Sequence, residues 1–244
     1  LQGADLKVLE GSVQGIAGTN GSGKSTLLQH INGILRPEKG RVLVKSLVVS
    51  APETPLREVI KQVGLVFQNP ETQFFKIFVG DEIAYGPKQF EMDDLRERVR
   101  EAMSQVGLDF DQYKDRRLET LSGGEKRKVA LASTLILDPD ILLFDEPTAG
   151  MDPCARDDLL ALFEKLKDNG KTILIASHRL DELARIADSL SLMQHGEVIK
   201  TGDTCEVLID SAMVSSAGLA PPLTVRVSQA LISKGWPIAI CDTG

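Results

Sequence analysis

Between the apolar run ending Gly15-Ile16-Ala17 and a helical stretch beginning at Lys24, the chain reads Gly18-Thr19-Asn20-Gly21-Ser22-Gly23-Lys24-Ser25. A segment with this spacing, leaving a strand and entering a helix, leaves few folds open. Its glycines let the backbone close around an anion, successive amide hydrogens face phosphate oxygens, Lys24 balances their charge, and the Ser25 hydroxyl is placed to ligate magnesium. Asn20, Gly21, Ser22, Gly23, Lys24, Ser25 and Thr26 are therefore the candidate nucleotide-phosphate contacts. A purely structural glycine turn would leave the lysine-hydroxyl pair without a purpose.

Around this anchor the chain alternates strands and helices. The pattern predicts strands over 6–9 and 14–17 on either side of a turn at Glu10-Gly11, a helix over 24–34 and a strand over 42–44. A short helix over 56–62 leads into a strand over 63–67. Residues 73–135 carry helical apolar spacing around Leu95, Val99, Met103 and Val106, and read as a helical subdomain inserted into an α/β core, with a last helix over 128–137. Strands at 141–144, 172–176 and 190–193 then alternate with helices at 157–166 and 181–186, which predicts a mostly parallel sheet. The expected division is a nucleotide-binding domain over 1–204 and a small extension over 205–244. Within the extension, Val225, Leu231, Ile232 and Trp236 are expected to pack on the main body or on another subunit.

Composition narrows the partners. The chain has 35 acids against 28 bases, a net charge of -7, and no dense basic stripe interleaved with aromatics, so a nucleic-acid partner is not expected. No apolar run approaches the roughly 18 to 20 residues that span hydrocarbon, and no targeting pattern opens the chain. Three widely spaced cysteines, Cys154, Cys205 and Cys241, favour a reducing compartment over a disulfide framework. The start at Leu1 reads as the loss of a short amino-terminal segment.

A second anchor is the apolar strand Ile141-Leu142-Leu143-Phe144 followed by Asp145-Glu146. Adjacent carboxylates at the carboxyl end of a sheet can divide the work of nucleotide hydrolysis, with Asp145 organising the magnesium shell and Glu146 directing or deprotonating the attacking water.

Taken together, residues 18–26, Leu121-Ser122-Gly123-Gly124-Glu125 and residues 141–152 resemble the ATP-binding cassette family. The resemblance covers most of residues 6–201. It implies the P-loop nucleotide-hydrolase cassette fold and a dimer in which Ser122, Gly123 and Gly124 complete the ATP site of an opposing subunit. It implies that Gln68 contacts magnesium or the attacking water, that His178 bonds the terminal phosphate, and that Asp152 lies in a loop exchanging contacts across the interface. Met151 stands where leucine is common, and Thr19 where proline is frequent. The aromatic that stacks on adenine is not identifiable, since Tyr85 and Tyr113 fall in the wrong part of the chain.

Residues 68–75 and 81–87 look especially like energy-coupling factor transporter ATPases. The resemblance implies an ATP- and Mg2+-dependent subunit on the cytoplasmic face of the cell membrane, energising an importer for a vitamin or a transition-metal ion. Its implied partners are a second cassette, the same or a paralogous chain, a transmembrane coupling protein and a substrate-binding membrane component. Phe74, Phe75, Ile77 and Phe78 can form the apolar docking surface. The alternative is a soluble cassette protein gating a non-transport interaction or a repair complex. A small-molecule phosphotransferase is weaker, because residues 121–125 imply a second cassette.

Overall fold

A computed structural model of the chain describes residues 1–236, apart from the side chains of Pro70 and Glu71. The first strand, β1 (Val13–Ala17), leads through the glycine-rich loop into helix α1 (Lys24–Ile31). A small antiparallel hairpin, β2 (Leu43–Val44) and β3 (Leu47–Val48), follows, and then α2 (Leu56–Gln62) runs directly into β4 (Val63–Val66). Next come α3 (Val79–Ile83), α4 (Tyr85–Gln89), α5 (Leu95–Gln105), α6 (Phe110–Tyr113) and α7 (Gly123–Leu135). The chain then alternates β5 (Ile141–Asp145), α8 (Pro153–Asp168), β6 (Thr172–Ser177), α9 (Leu180–Ile186), β7 (Ser189–Gln194) and β8 (Glu197–Asp203). It closes with α10 (Thr204–Ile209), α11 (Ser211–Ser216) and α12 (Leu223–Ile232).

The main sheet has the order β4-β5-β6-β1-β7-β8. All neighbouring pairs are parallel except β7 with β8, so the sheet is mixed, with one antiparallel edge. Its central strands are largely apolar because both faces are covered. Leu142, Phe144, Ile173 and Ile175 face one cluster with Leu159, Leu160 and Phe163 of α8, where the Phe144 and Phe163 rings stand 4.4 Å apart. Leu143, Leu174 and Ala176 face the other, with Leu27 and Leu28 of α1. Residues one apart thus serve opposite layers, the period of a pleated strand. Burying each such Leu or Phe side chain contributes about 1.5–3 kcal/mol. The polar exception in β1, Gln14, is buried but paired: its Nε2 donates to the Gly15 carbonyl at 2.8 Å, and its Oε1 accepts from the Ser189 hydroxyl at 2.6 Å.

Several elements differ from the sequence expectation. Residues 6–9 form no strand; Leu6 and Val8 pack against the α1 side of the sheet, while both edges of β1 are taken by β6 and β7. Helix α1 ends at Ile31, three residues early, where Asn32 caps it. Helix α7 starts at Gly123 rather than 128, because Ser122 and Glu125 form a reciprocal cap, and α8 starts at Pro153 because the Asp152 side chain caps it. The antiparallel strand β8 has no counterpart in the expectation, its half-exposed edge sequence carrying little apolar signal. Residues 215–222, expected to be a connection, begin inside α11. Cys154 is free and exposed, and Cys241 lies outside the described residues.

Candidate nucleotide site

Parallel pairing brings the ends of β1, β5 and β6 to one edge: Ala17 is opposite Ser177, and Asp145 is opposite Ala176. The glycine-rich loop leaves β1 there and turns into α1 at Gly23, whose φ of 106° places it in the region open to glycine. Gly18 meets a second demand. A Cβ on it would stand 2.5 Å from the Met193 carbonyl oxygen, so only glycine lets the loop pass β7. Lys24 is buried, and its Nζ donates to the carbonyls of Gly18 at 2.8 Å and Thr19 at 3.1 Å. The amides of the first turn of α1 have no intrahelical acceptor, and with the helix dipole they favour an anion at this end.

Glu146 faces this loop, with its Oε1 3.7 Å from Lys24 Nζ. Its φ is 46°, an uncommon conformation for a side chain-bearing residue, and the turn is pinned by its own N–H donating to the Ala176 carbonyl at 2.8 Å. The carboxylate accepts from the His178 backbone amide at 3.1 Å and from the Ser177 hydroxyl at 3.3 Å, and meets His178 Nδ1 at 2.9 Å. Glu146, His178 and Lys24 therefore form one cluster. Asp145 is buried beside it, and one carboxylate oxygen, Oδ1, has no hydrogen-bond partner. Burial pushes its carboxyl pKa up, with Glu146 adding to the effect; a hydrogen bond from Ser25 and the charge of Lys24 oppose it. A buried, under-satisfied carboxylate oxygen next to a serine hydroxyl fits a hard divalent cation such as Mg2+.

Of the remaining expected residues, Gln68, Gly123, Gly124 and Asp152 line a second cleft of about 600 Å3, together with Arg127 and Gly150 among others. Ser122 caps α7: its Oγ accepts from Glu125 N at 3.3 Å, and its own N–H donates to Glu125 Oε2 at 2.7 Å. The Glu125 carboxylate also accepts from Tyr113 OH at 2.8 Å and pairs with Arg116 at 3.2 Å. These contacts, the Ser122 amide first, hold its pKa down at about 2. Asp152 Oδ1 accepts from Ala155 N at 3.0 Å.

Two connectors have no counterpart in the sequence reading. Arg127 on α7 donates to the Ala149 carbonyl at 2.8 Å and the Gln68 carbonyl at 3.3 Å, strapping both loops of the second cleft to one helix. Glu182 on α9 is buried, accepts a hydrogen bond from Thr148, and pairs with Arg156 and Arg179, each at 3.1 Å. It joins the turn after Glu146 to the helix after His178. The placement of Arg127 one turn after Gly123-Gly124 was the available signal, but a basic residue on a helix start reads equally as a solvated face.

A family model described as ABC transporter matches residues 1–149. The energy-coupling factor transporter ATP-binding protein EcfA2 of Clostridium tetani is 38% identical over 96% of the chain and 83% of its own length. The protein of the same name from Symbiobacterium thermophilum is 41% identical over 98% and 83%. Among solved structures, cbiO1 from Clostridium perfringens, described as part of the ABC transporter complex cbiONQ, superposes with a TM-score of 0.77 at 33% identity, over 94% of this chain and 92% of that one. A dimeric ATP-binding cassette, MJ0796, in a post-hydrolysis state with ADP and Pi gives 0.74 at 25% identity, over 82% and 89%. Fold and site together define an ATP-binding cassette ATPase. Within that class the chain belongs to the energy-coupling factor transporter ATP-binding proteins.

Proposed function

We propose that this ATPase drives an importer for a vitamin or a transition-metal ion from the cytoplasmic face of the cell membrane, with the solute path carried by its partners. No helix among the described residues is long and apolar enough to cross a membrane. The partners in this reading are a second cassette, a transmembrane coupling protein and a substrate-binding membrane component. Residues 1–204 act as the cassette, 73–135 within it as the helical subdomain, and 205–244 as an extension for association.

The observation that carries the reading is the meeting of Lys24, Asp145, Glu146 and His178 at one end of the sheet. In it, residues 20–26 hold the phosphates, and Ser25, Asp145 and Gln68 hold Mg2+, which offsets phosphate charge when bound. Glu146 orients the attacking water and takes its proton, and His178 holds the terminal phosphate and Glu146 in register. Ser122, Gly123 and Gly124 present the start of α7 to the nucleotide of the opposing cassette, and Asp152 shapes the facing loop.

The test separates binding from chemistry. Glu146→Gln keeps nucleotide binding and loses about 10²–10⁴-fold in kcat, whereas Lys24→Ala loses binding itself. Equal hydrolysis by the two variants would overturn the assignments. Copurification from native membranes, followed by ATP-dependent uptake in reconstituted vesicles, tests transport, and an assembly with no membrane protein in it refutes that part.

A further inference from the structure

The carboxyl-terminal extension reaches back to the phosphate loop. Helix α11 ends with the Gly218 amide donating to the Ser215 carbonyl at 2.9 Å and the Leu219 amide to the Val214 carbonyl at 3.2 Å, with Gly218 at φ 74°. Helix α8 ends in the same way: Gly170 donates to Lys167 at 2.8 Å, Lys171 to Leu166 at 3.1 Å, and Gly170 has φ 81°. The two caps differ in what surrounds them. A Cβ on Gly170 meets nothing within 4 Å, but one on Gly218 would stand 2.8 Å from the Thr19 methyl carbon, Cγ2. Capping explains the backbone angle at both glycines; only at Gly218 does the missing side chain also make room for the loop.

Thr19 is not a passive neighbour. Its carbonyl accepts from Lys24 Nζ at 3.1 Å and from the Ser22 amide at 3.1 Å, so its position sets where the ammonium is held. The extension is anchored on both sides of this contact. Gln194 Nε2, at the end of β7, donates to the Ser216 carbonyl at 2.6 Å, and the Leu223 amide donates to Asp181 Oδ1 on α9 at 3.3 Å. The turn after β7 also grips the loop directly, with the Gly196 amide donating to the Ser22 carbonyl at 2.8 Å.

We propose that Gly218 is a positioning residue for nucleotide binding: the extension seats against Thr19 in the space a side chain would fill, and thereby fixes the carbonyls that orient Lys24. The proposal rests on residues 18–26 being the nucleotide cradle. A displaced Thr19 weakens phosphate binding in ground and transition states alike, so the effect falls on affinity and KM rather than on kcat.

Five variants test it in the full chain, by ATP affinity and steady-state hydrolysis. Gly218→Ala and Gly170→Ala carry the same backbone strain, so Gly170→Ala controls for it. Gly218→Ala raises the ATP Kd and KM about 5-fold or more with kcat held within about 2-fold, while Gly170→Ala leaves all three unchanged. Thr19→Ser removes the methyl carbon, and in that background Gly218→Ala changes Kd by less than about 2-fold relative to Thr19→Ser alone. If Gly218→Ala does not fold by itself, recovery of folding in the Thr19→Ser background supports the contact, and failure to recover overturns it. Equal Kd values for the two glycine variants, or the same Gly218→Ala ratio in both backgrounds, also overturns it. Lys24→Ala distinguishes the underlying reading: ATP binding that survives this change removes the cradle assignment and the proposal with it, whereas loss of binding beside a silent Gly218→Ala removes the proposal alone.

Discussion

Asp145 sits where burial works against its own charge. Its folded-state carboxyl pKa is raised, so the folded chain binds its proton more readily than the unfolded chain, and the residue costs stability as pH rises above the ordinary carboxylate range. Asp145→Asn should therefore stabilise the nucleotide-free chain at neutral pH by about 1 kcal/mol, or about 2–4 °C in thermal midpoint for a chain of this size, while abolishing Mg2+-dependent hydrolysis. Thermal unfolding at neutral and acid pH checks the first part, because the gain should shrink as pH falls. An unchanged or lowered midpoint at neutral pH contradicts the electrostatic account. At this scale the glycine-rich loop and both acids stood out through local spacing, and the fold brings them to one end of the sheet. Spacing could not mark Glu182 or Arg127, whose partners lie on other elements and come together only after folding.

Among the elements, α7 concentrates the connections of the second cleft. Its amino-terminal cap depends on an ionised Glu125, whose folded pKa is about 2 against an ordinary 4.5. A depressed carboxyl pKa gives stability that is present above the ordinary value and lost as pH falls through the folded one. Glu125→Gln should thus destabilise the chain by about 1 kcal/mol near neutral pH, with the difference from the native chain closing between pH 4.5 and about 2. Denaturant unfolding across that range measures it, and a constant difference would dissociate the cap from charge. Arg127 is the second connection. Lysine offers a point charge where the guanidinium fork serves two carbonyls, so Arg127→Lys should lose about 1–2 kcal/mol of stability and lower kcat more than it raises KM. Periodicity located most helices and central strands because their apolar faces are continuous. It misplaced the starts of α7 and α8, where side-chain caps rather than apolar spacing decide the boundary.

For the whole molecule, the surface is uneven in a way that bears on assembly. Phe75, Ile77 and Phe78 are exposed, while Phe74 packs against the core, so three of the four expected docking residues face outwards. The loop that carries them is held by the buried Glu82 carboxylate, which accepts from the amides of Phe75 at 2.9 Å and Lys76 at 2.8 Å. Phe75→Ser with Ile77→Ser should leave ATP hydrolysis by the isolated chain within about 2-fold and reduce recovery of a membrane partner about 10-fold or more. A steady-state hydrolysis assay reads the first and pull-down from detergent extracts the second, and undiminished recovery rules this surface out. On the extension, Val225 of α12 is buried against the body, whereas Val227, Ile232 and Trp236 are exposed. Neither division could be read from composition alone.

The central position of β1 has a consequence for how the chain is made. Its neighbours on both sides, β6 and β7, are encoded far downstream, and the Gly11 amide finds its acceptor on Thr172, 161 residues later. A nascent chain emerging from the ribosome therefore carries its glycine-rich loop long before either flanking strand exists. Local helices can form early, but the nucleotide pocket must wait for the distal half, and β1 stays without its partners through most of translation. Synthesis, rather than the finished fold, is the stage at which this segment is most open to aggregation or to capture by a chaperone.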